Sequence, residues 1–184
     1  MQLLLDPESS ARGLRRMAGE IIERHHGTAE LLLVGIRRGG VAVAEALGHW
    51  INELEGQRVP LGTVDITLYR DDAATALPNP RIGPSEIPVP IAGRRVILVD
   101  DVLYSGRTVR AALDALLDYG RPRTVELAVL VDRGGRELPI FASYAAKSLE
   151  VPADQRVDVL TDATGLRAVL QAAGAPSVPP SAMP

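Results

Sequence analysis

VILVDDVLYSGRT, at residues 96–108, brings together an apolar run, two aspartates and a glycine-bearing turn. The apolar part, residues 96–99, is rich in β-branched side chains, which predicts a strand that is buried on both faces. A helical pattern follows over residues 109–119. Gly120 is typical of the residue that caps a helix C-terminus, and Pro122 prevents the helix from continuing. The sequence therefore predicts a strand, a polar turn and a helix in direct succession.

Strand and helix patterns alternate on both sides of this segment. Asp6 and Pro7 are typical of a helix start, and apolar residues recur at helical spacing through Arg24. Further strands are predicted at residues 31–36, 62–69, 124–131 and 157–160, and further helices at 41–54 and 166–173. This alternation predicts an α/β fold with an open, mostly parallel sheet flanked by helices.

The domain organisation follows from length and composition. The 184 residues suit one domain, which we assign to residues 1–174. Residues 70–90 contain five prolines and few large apolar side chains, so we predict a flexible loop there, and a loop of that length usually has a function. Residues 175–184 are predicted to form a disordered tail.

The composition excludes several classes of function. The chain has no cysteine, so a disulfide framework, a thiolate nucleophile and cysteine-based zinc sites are excluded. The net charge is −3, so binding of nucleic acid requires a local basic patch. No run approaches the roughly 18 apolar residues of a membrane span, and residues 1–6 lack the basic start of a signal peptide. We expect a cytoplasmic protein without a membrane partner.

The polar turn in residues 100–108 indicates a binding site for a phosphorylated sugar. In parallel sheets, ligands bind beyond the carboxyl ends of the strands, where residues 37–40 and 132–135 are expected to join this turn. Residues 104–108 lead into the predicted helix, so their backbone N–H groups point toward one place, and N–H groups at a helix N-terminus bind phosphate well. Asp100 and Asp101 suit the two hydroxyls of a ribose, which donate to carboxylates. We therefore predict a phosphoribosyl site.

Other phosphate-binding patterns fit less well. The turn lacks the second glycine and the Gly-Lys-Ser/Thr ending of a Walker A loop, and it is not a Rossmann fingerprint. A phospho-receiver domain is a local alternative, because Val-Asp-Asp after an apolar strand also opens such domains, where the carboxylates bind Mg²⁺. Those domains carry this string near the start of the chain, whereas Val99 lies in the middle of this one.

Several isolated residues have an ordinary structural interpretation. His25, His26 and His49 show no metal-ligand spacing with acidic partners, so we assign them to the surface or to helix packing. Trp50 and Tyr119 occur at helix-core spacing and are predicted to pack.

The motif at residues 96–108 resembles the 5-phosphoribosyl-1-pyrophosphate (PRPP) motif of type I phosphoribosyltransferases. DITLYRDD at 65–72, VRAALDAL at 109–116 and LAVLVDRGGRELPI at 127–140 resemble the PyrR family of bifunctional pyrimidine operon attenuators and uracil phosphoribosyltransferases. The similarity runs from about residue 4 to residue 160. It implies the type I phosphoribosyltransferase fold with a small hood.

The resemblance also implies a reaction and its partners. Uracil and PRPP would give UMP and pyrophosphate with Mg²⁺ as cofactor, in a homodimer or larger homo-oligomer. The family also regulates pyrimidine genes by binding leader mRNA. An alternative from another class is a nucleotide-sensing RNA-binding regulator with vestigial catalysis, and a third is transfer to another base such as a purine.

The family's roles carry over onto matching residues of this chain. Asp100, Asp101 and Arg70 would be catalytic, and the two aspartates would hold Mg²⁺ directly or through PRPP. Arg70, with Asp71 and Arg81, lies on the long loop, which would close over the substrates and keep water out. Arg133 would line the base or pyrophosphate side. The remaining substrate contacts implied are Val102, Leu103, Tyr104, Ser105, Gly106, Arg107 and Thr108 for the 5′-phosphate, and Arg37, Arg38, Gly39 and Gly40 for pyrophosphate.

Two parts of the chain depart from the family pattern. The pyrophosphate loop of relatives reads basic-Thr-Arg-Gly, whereas residues 37–40 read Arg-Arg-Gly-Gly. Gly19, Gly135 and Phe141 stand where the family has two histidines and an arginine associated with RNA. We therefore expect weaker or altered RNA binding. The RNA-associated positions that do match are Arg12, Arg24, Arg136 and Lys147.

Overall fold

The structure is a computed structural model that describes residues 1–71 and 84–175. The strands in these residues are β1 (Gln2–Leu5), β2 (Leu31–Ile36), β3 (Leu61–Val64), β4 (Arg95–Leu103), β5 (Thr124–Asp132), β6 (Tyr144–Ser148), β7 (Gln155–Asp162) and β8 (Gly165–Ala172). The helices are α1 (Pro7–His25), α2 (Gly39–Glu55) and α3 (Arg107–Leu117). None of the helices in the described residues is long and apolar enough to cross a membrane.

The main sheet confirms the predicted α/β architecture. Its strand order is β3-β2-β4-β5-β6, and all neighbouring pairs are parallel. Every residue of β2 is buried, because helices cover both faces of the sheet. Ile97 and Val99 pack with α1 and α2, whereas Val96 and Leu98 pack on the other face with α3. The alternation of β4 thus divides the core into two layers.

A second, smaller sheet forms the hood. Its order is β1-β8-β7, and both pairs are antiparallel. The helix predicted at 166–173 is therefore wrong, because these residues form β8. Leu166 and Ala168 are buried in the core that also contains α1, and Gly165, at a φ of 123°, makes the turn from β7. Pairing with two strands outweighs the intrinsic helix preference of leucine and alanine.

The predicted start of α1 is confirmed. The Asp6 side chain accepts a hydrogen bond from the Ser9 N–H, and Pro7 occupies the first turn. Trp50 packs against the core as expected. Tyr119 does not, since it is 48% exposed beyond the end of α3.

The strand predicted at 62–69 is shorter, because β3 ends at Val64. Asp65 then accepts a hydrogen bond from the Thr67 N–H, an Asx turn that ends extended pairing. Within the predicted loop at 70–90, Glu86 forms an antiparallel bridge with Thr63 of β3. Residues 72–83, including Arg81, and residues 176–184 of the predicted tail lie outside the described residues. The assignment of residues 1–174 to one domain stays a prediction.

Candidate active site

Three loops leave the carboxyl ends of neighbouring parallel strands at one edge of the main sheet. They follow β2, β4 and β5 and comprise residues 37–38, 104–106 and 133–135. The Arg133 N–H donates to the Leu103 carbonyl at 3.0 Å, which joins the second loop to the third. Gly39, directly after the first loop, lies against Asp101. The predicted convergence of the loops is confirmed.

Asp100 and Asp101 lie near the end of β4, and Asp100 is only 4% exposed. The Asp101 N–H donates to Oδ1 of Asp100 at 3.0 Å, and the Val102 N–H donates to Oδ1 of Asp101 at 2.8 Å. Burial raises the pKa of Asp100 well above its ordinary value, and the charge of Asp101 raises it further. Burial also raises the pKa of Asp101, although hydrogen bonds to its carboxylate oppose this. Such a pair is stabilised by a cation or by hydroxyl donors.

The turn after the acid pair presents backbone amides. Gly106, at a φ of 93°, is the N-cap of α3 and has no side chain to cover the helix end. The first N–H groups of a helix lack acceptors within the helix. In α3 the Arg107 N–H donates to the Ser105 hydroxyl oxygen at 3.3 Å, and the N–H groups that follow face the space in front of Gly106. The Ser105 carbonyl points the other way, where it accepts from the N–H groups of Glu137 and Leu138 at 3.0 and 3.1 Å. The turn is therefore fixed from behind and open to an anion in front.

The start of α2, directly after the loop that follows β2, requires its two glycines. A Cβ on Gly39 would overlap the Asp101 carboxylate, and a Cβ on Gly40 would overlap the Val99 carbonyl oxygen. Arg37 and Arg38 diverge, since Arg37 is partly buried and donates to the Thr63 hydroxyl at 3.2 Å, whereas Arg38 is exposed at the start of α2. The peptide bond between them is cis. Arg38 and the N-terminus of α2 are thus the groups of this loop that an anion can reach.

Arg133 has contacts that the sequence did not predict. It is 4% exposed, and its guanidinium donates to the carbonyls of Gln155, Val151 and Pro152 at 2.8, 3.1 and 3.2 Å. The same group lies 4.0 Å from the centre of the Tyr104 ring. Arg133 therefore joins the start of β7 and the chain just before it to the turn of residues 104–106. We call this turn the phosphate-facing turn, because it is predicted to bind the 5′-phosphate.

The hood also reaches the acid pair. Asp158 of β7 is close enough to Asp101 for its charge to contribute to the raised pKa of that carboxyl. Asp158 is itself held by Arg156, at 3.1 Å, and by Gln171 of β8. Sequence reasoning missed this electrostatic influence, because nothing in the local pattern of β7 indicates which face turns toward β4.

Arg70 lies beside the phosphate-facing turn. It lines an open cavity of about 330 Å³ together with Ile66, Asp71, Arg107 and Thr108. The structure thus brings a residue from the start of the predicted loop next to a residue of the α3 N-terminus.

Comparison with known proteins agrees with this geometry. The sequence profile of the phosphoribosyl transferase domain matches residues 3–170. The bifunctional protein PyrR of Pelotomaculum thermopropionicum is 53% identical over 156 residues, which cover 85% of this chain and 86% of that protein. The PyrR protein of Deinococcus radiodurans is 52% identical and also covers 85% of each chain. This chain belongs to the PyrR family.

The fold agrees with that membership. A hypoxanthine-guanine phosphoribosyltransferase from Bacillus anthracis superposes with a TM-score of 0.67 at 18% identity, covering 92% of this chain and 98% of that one. This likeness concerns the fold alone. The parallel sheet with an antiparallel hood is therefore the type I phosphoribosyltransferase fold in a PyrR protein.

The four residues predicted to contact RNA all have partners within this chain. Arg12 pairs with Glu8, and Arg24 pairs with Glu126 at 3.2 Å, but both arginines stay more than half exposed. The other two are more enclosed: Arg136 binds Asp132 and the Tyr104 carbonyl, and Lys147 donates to the Leu4 carbonyl. Arg12 and Arg24 lie on α1, which packs against β6, the strand of Lys147.

Proposed function

We propose that this protein transfers the phosphoribosyl group of PRPP to uracil, giving UMP and pyrophosphate, and that it regulates pyrimidine genes by binding their leader mRNA. The observation that carries the first activity is the buried acid pair, which lies between the amide-lined turn of α3 and the glycine loop of α2. PRPP carries two hydroxyls, a 5′-phosphate and a pyrophosphate in a matching arrangement. Membership of the PyrR family supports uracil as the acceptor.

Each part of the site has its own role in the proposed reaction. Ribose C1 becomes positively charged as pyrophosphate leaves, so Asp100 and Asp101 both hold the ribose hydroxyls and favour this charge. The α3 N-terminus holds the 5′-phosphate and fixes the position of C1. Arg38 and the N-terminus of α2 stabilise the departing pyrophosphate. The hood covers the opposite side and excludes water from the charged sugar.

Mg²⁺ suits this site. Burial raises the pKa of both Asp100 and Asp101, so a nearby cation would favour their ionised forms. The described residues contain no cluster of three or more acidic or histidine side chains for a metal. Asp100 and Asp101 would therefore hold Mg²⁺ together with oxygens of PRPP and water, as this ion prefers. Bound Mg²⁺ would supply charge neutralisation for the leaving pyrophosphate.

A nucleobase panel tests the enzymatic proposal. Uracil, cytosine, hypoxanthine, guanine and adenine are incubated with PRPP and Mg²⁺, and nucleotide and pyrophosphate are measured. We expect turnover with uracil, and a loss of about hundredfold or more in Asp100→Asn and Asp101→Asn. Turnover with a purine alone would show that the acceptor is a purine and not uracil. No turnover with any base, together with tight UMP binding, would favour the sensor with vestigial catalysis.

RNA binding is the second proposed activity, and it is supported by family membership and by the exposed arginines of α1. A pyrimidine-leader hairpin is titrated with the protein in a filter-binding assay, with and without UMP. A higher affinity for the leader hairpin than for a scrambled hairpin supports regulation, and equal affinity for the two RNAs contradicts it.

Because PRPP and mRNA are cytoplasmic, the proposal also puts the protein in the cytoplasm. A homodimer or larger homo-oligomer is part of the same proposal and is tested by sedimentation.

A further inference from the structure

Helix α3 carries a charged stripe on its exposed side. Arg107, Arg110, Asp114 and Asp118 follow one another at intervals of three, four and four residues, which puts them on one face of a helix. Arg107 and Arg110 are about half exposed, so the stripe faces outward from the core. It begins at the phosphate-facing turn and runs away from it along the helix.

The segment of residues 66–71 lies along this stripe and is held at two points. The Asp71 carboxylate bridges two arginines: Oδ2 is 2.7 Å from Nη1 of Arg107, and Oδ1 is 2.6 Å from Nη1 of Arg110. Two residues earlier, the Tyr69 hydroxyl donates to the Asp118 carboxylate. The hydrogen bond to Arg107 is the largest contribution that lowers the pKa of Asp71, so this carboxylate is ionised at neutral pH.

Arg70 lies between these two anchored residues. While Tyr69 and Asp71 contact α3, Arg70 lines the cavity of about 330 Å³ that also contains Thr108. Thr108 belongs to the first turn of α3, whose amides face the site. The two anchors therefore fix the backbone on each side of Arg70, which lines this cavity together with Arg107.

We propose that Tyr69 and Asp71 are positioning residues that hold Arg70 against the phosphate groups of PRPP. The inference rests on the proposed function in that it takes PRPP as the ligand. An arginine on an unanchored loop loses backbone and side-chain freedom when it binds an anion, and this loss weakens binding. Anchoring the neighbours of Arg70 removes most of that loss in advance. The planar guanidinium is also suited to pair with phosphate oxygens.

The test compares Asp71→Asn with Asp114→Asn. Both substitutions remove one negative charge beside Arg110, since Asp114 lies 2.8 Å from its Nη2 atom, but only Asp71 belongs to the segment that carries Arg70. PRPP affinity is measured by titration calorimetry, and kcat and KM are measured with uracil. We expect Asp71→Asn and Tyr69→Phe to weaken PRPP binding about threefold to tenfold, and Asp114→Asn to leave it unchanged. Asp71→Glu should restore most of the affinity.

A double-mutant cycle separates positioning from a general electrostatic effect. If Asp71 acts through Arg70, then Asp71→Asn has no further effect on PRPP affinity once Arg70→Ala is present. Additive losses in the double variant would overturn the inference, and so would equal losses from Asp71→Asn and Asp114→Asn. Thermal unfolding of each variant shows whether a loss of affinity reflects loss of fold.

The same experiment distinguishes failure of the inference from failure of the proposed function. Unaltered PRPP affinity in Asp71→Asn, with normal UMP synthesis by the parent protein, rejects the positioning role and leaves the function intact. The expected affinity pattern without UMP synthesis supports the positioning role and rejects uracil transfer. A parent protein that does not bind PRPP rejects both.

Discussion

Asp100 and Asp101 are adjacent carboxyl groups, of which the fold buries the first almost completely and the second partly. Burial raises the pKa of both groups, so keeping them ionised at neutral pH opposes folding in the ligand-free protein. Substrate hydroxyls and Mg²⁺ would reverse this, because both stabilise the carboxylate form. The unfavourable free energy of the empty pair is thus converted into affinity for the ligand.

This conversion predicts a stabilised but inactive variant. A carboxyl whose pKa is raised in the folded state stabilises the protein at low pH and loses that contribution as the pH rises above about 4. Asp100→Asn abolishes this loss, so the melting temperature of the variant should exceed that of the parent by more at pH 8 than at pH 5. Differential scanning calorimetry without ligand measures the difference. A variant that melts below the parent at pH 8 would contradict the argument, and UMP synthesis should be lost in either case.

Gly39 gives a second prediction at the scale of one residue. A Cβ at this position overlaps the Asp101 carboxylate, so in Gly39→Ala the acid pair must shift. A displacement of about 1 Å at a reacting centre lowers turnover by about hundredfold. Gly19→Ala is the matched control, because a Cβ on Gly19 meets no atom within 4 Å. Steady-state UMP synthesis should fall in the first variant and stay unchanged in the second, and equal rates would show that the acid pair tolerates the shift.

At the scale of elements, the sequence predicts those helices and strands that are determined by residues close together in the chain. The acid pair, the turn and α3 follow from thirteen consecutive residues, and the parallel strands follow from apolar runs bounded by polar loops. Leucine and alanine favour the helix predicted at 166–173, whereas β7, the preceding strand, and β1, from the start of the chain, pair with residues 165–172 as β8. β1 and β6 were not predicted at all, since each is short and gains its stability from its neighbours.

The same distinction applies within the site. Sequence places Arg133 at the end of β5, but its side chain turns toward carbonyl groups about 20 residues further along the chain. The influence of the Asp158 charge on Asp101 likewise depends on how the hood is attached. Local sequence therefore predicts which loops form the site, and long-range packing decides which side chains reach it.

Arg133 provides a prediction for the attachment of the hood. Arg133→Met removes the donors to three carbonyl groups, two just before β7 and one on its first residue, while keeping an unbranched side chain. We expect a loss of about 2 to 4 kcal/mol in the free energy of unfolding, measured by urea titration. Arg123→Met is the control, because Arg123 and its partner Glu30 are both about half exposed and such a pair contributes little. A loss in Arg133→Met no larger than in the control would mean that the hood is held by its apolar contacts alone.

At the scale of the whole molecule, the net charge limits which surface can bind RNA. The net charge of −3 gives no general attraction to a polyanion, so RNA binding has to come from a restricted surface. The exposed arginines of α1 offer such a surface, whereas Arg136 and Lys147 are engaged with the phosphate-facing turn and the hood. A surface with few contacts predicts a weak salt dependence, since each phosphate contact contributes about one unit to the slope.

The salt dependence of hairpin binding gives the corresponding prediction. Filter-binding constants are measured from 50 to 300 mM salt for the parent, for the double variant Arg12→Gln/Arg24→Gln, and for Arg123→Gln as an exposed control. We expect the slope of log affinity against log salt to decrease by about two in the double variant and to stay the same in the control. An unchanged slope in the double variant would mean that RNA binds elsewhere. In that case the loop of residues 133–141 becomes the surface to test, because it contains Arg136 and is bonded to the phosphate-facing turn.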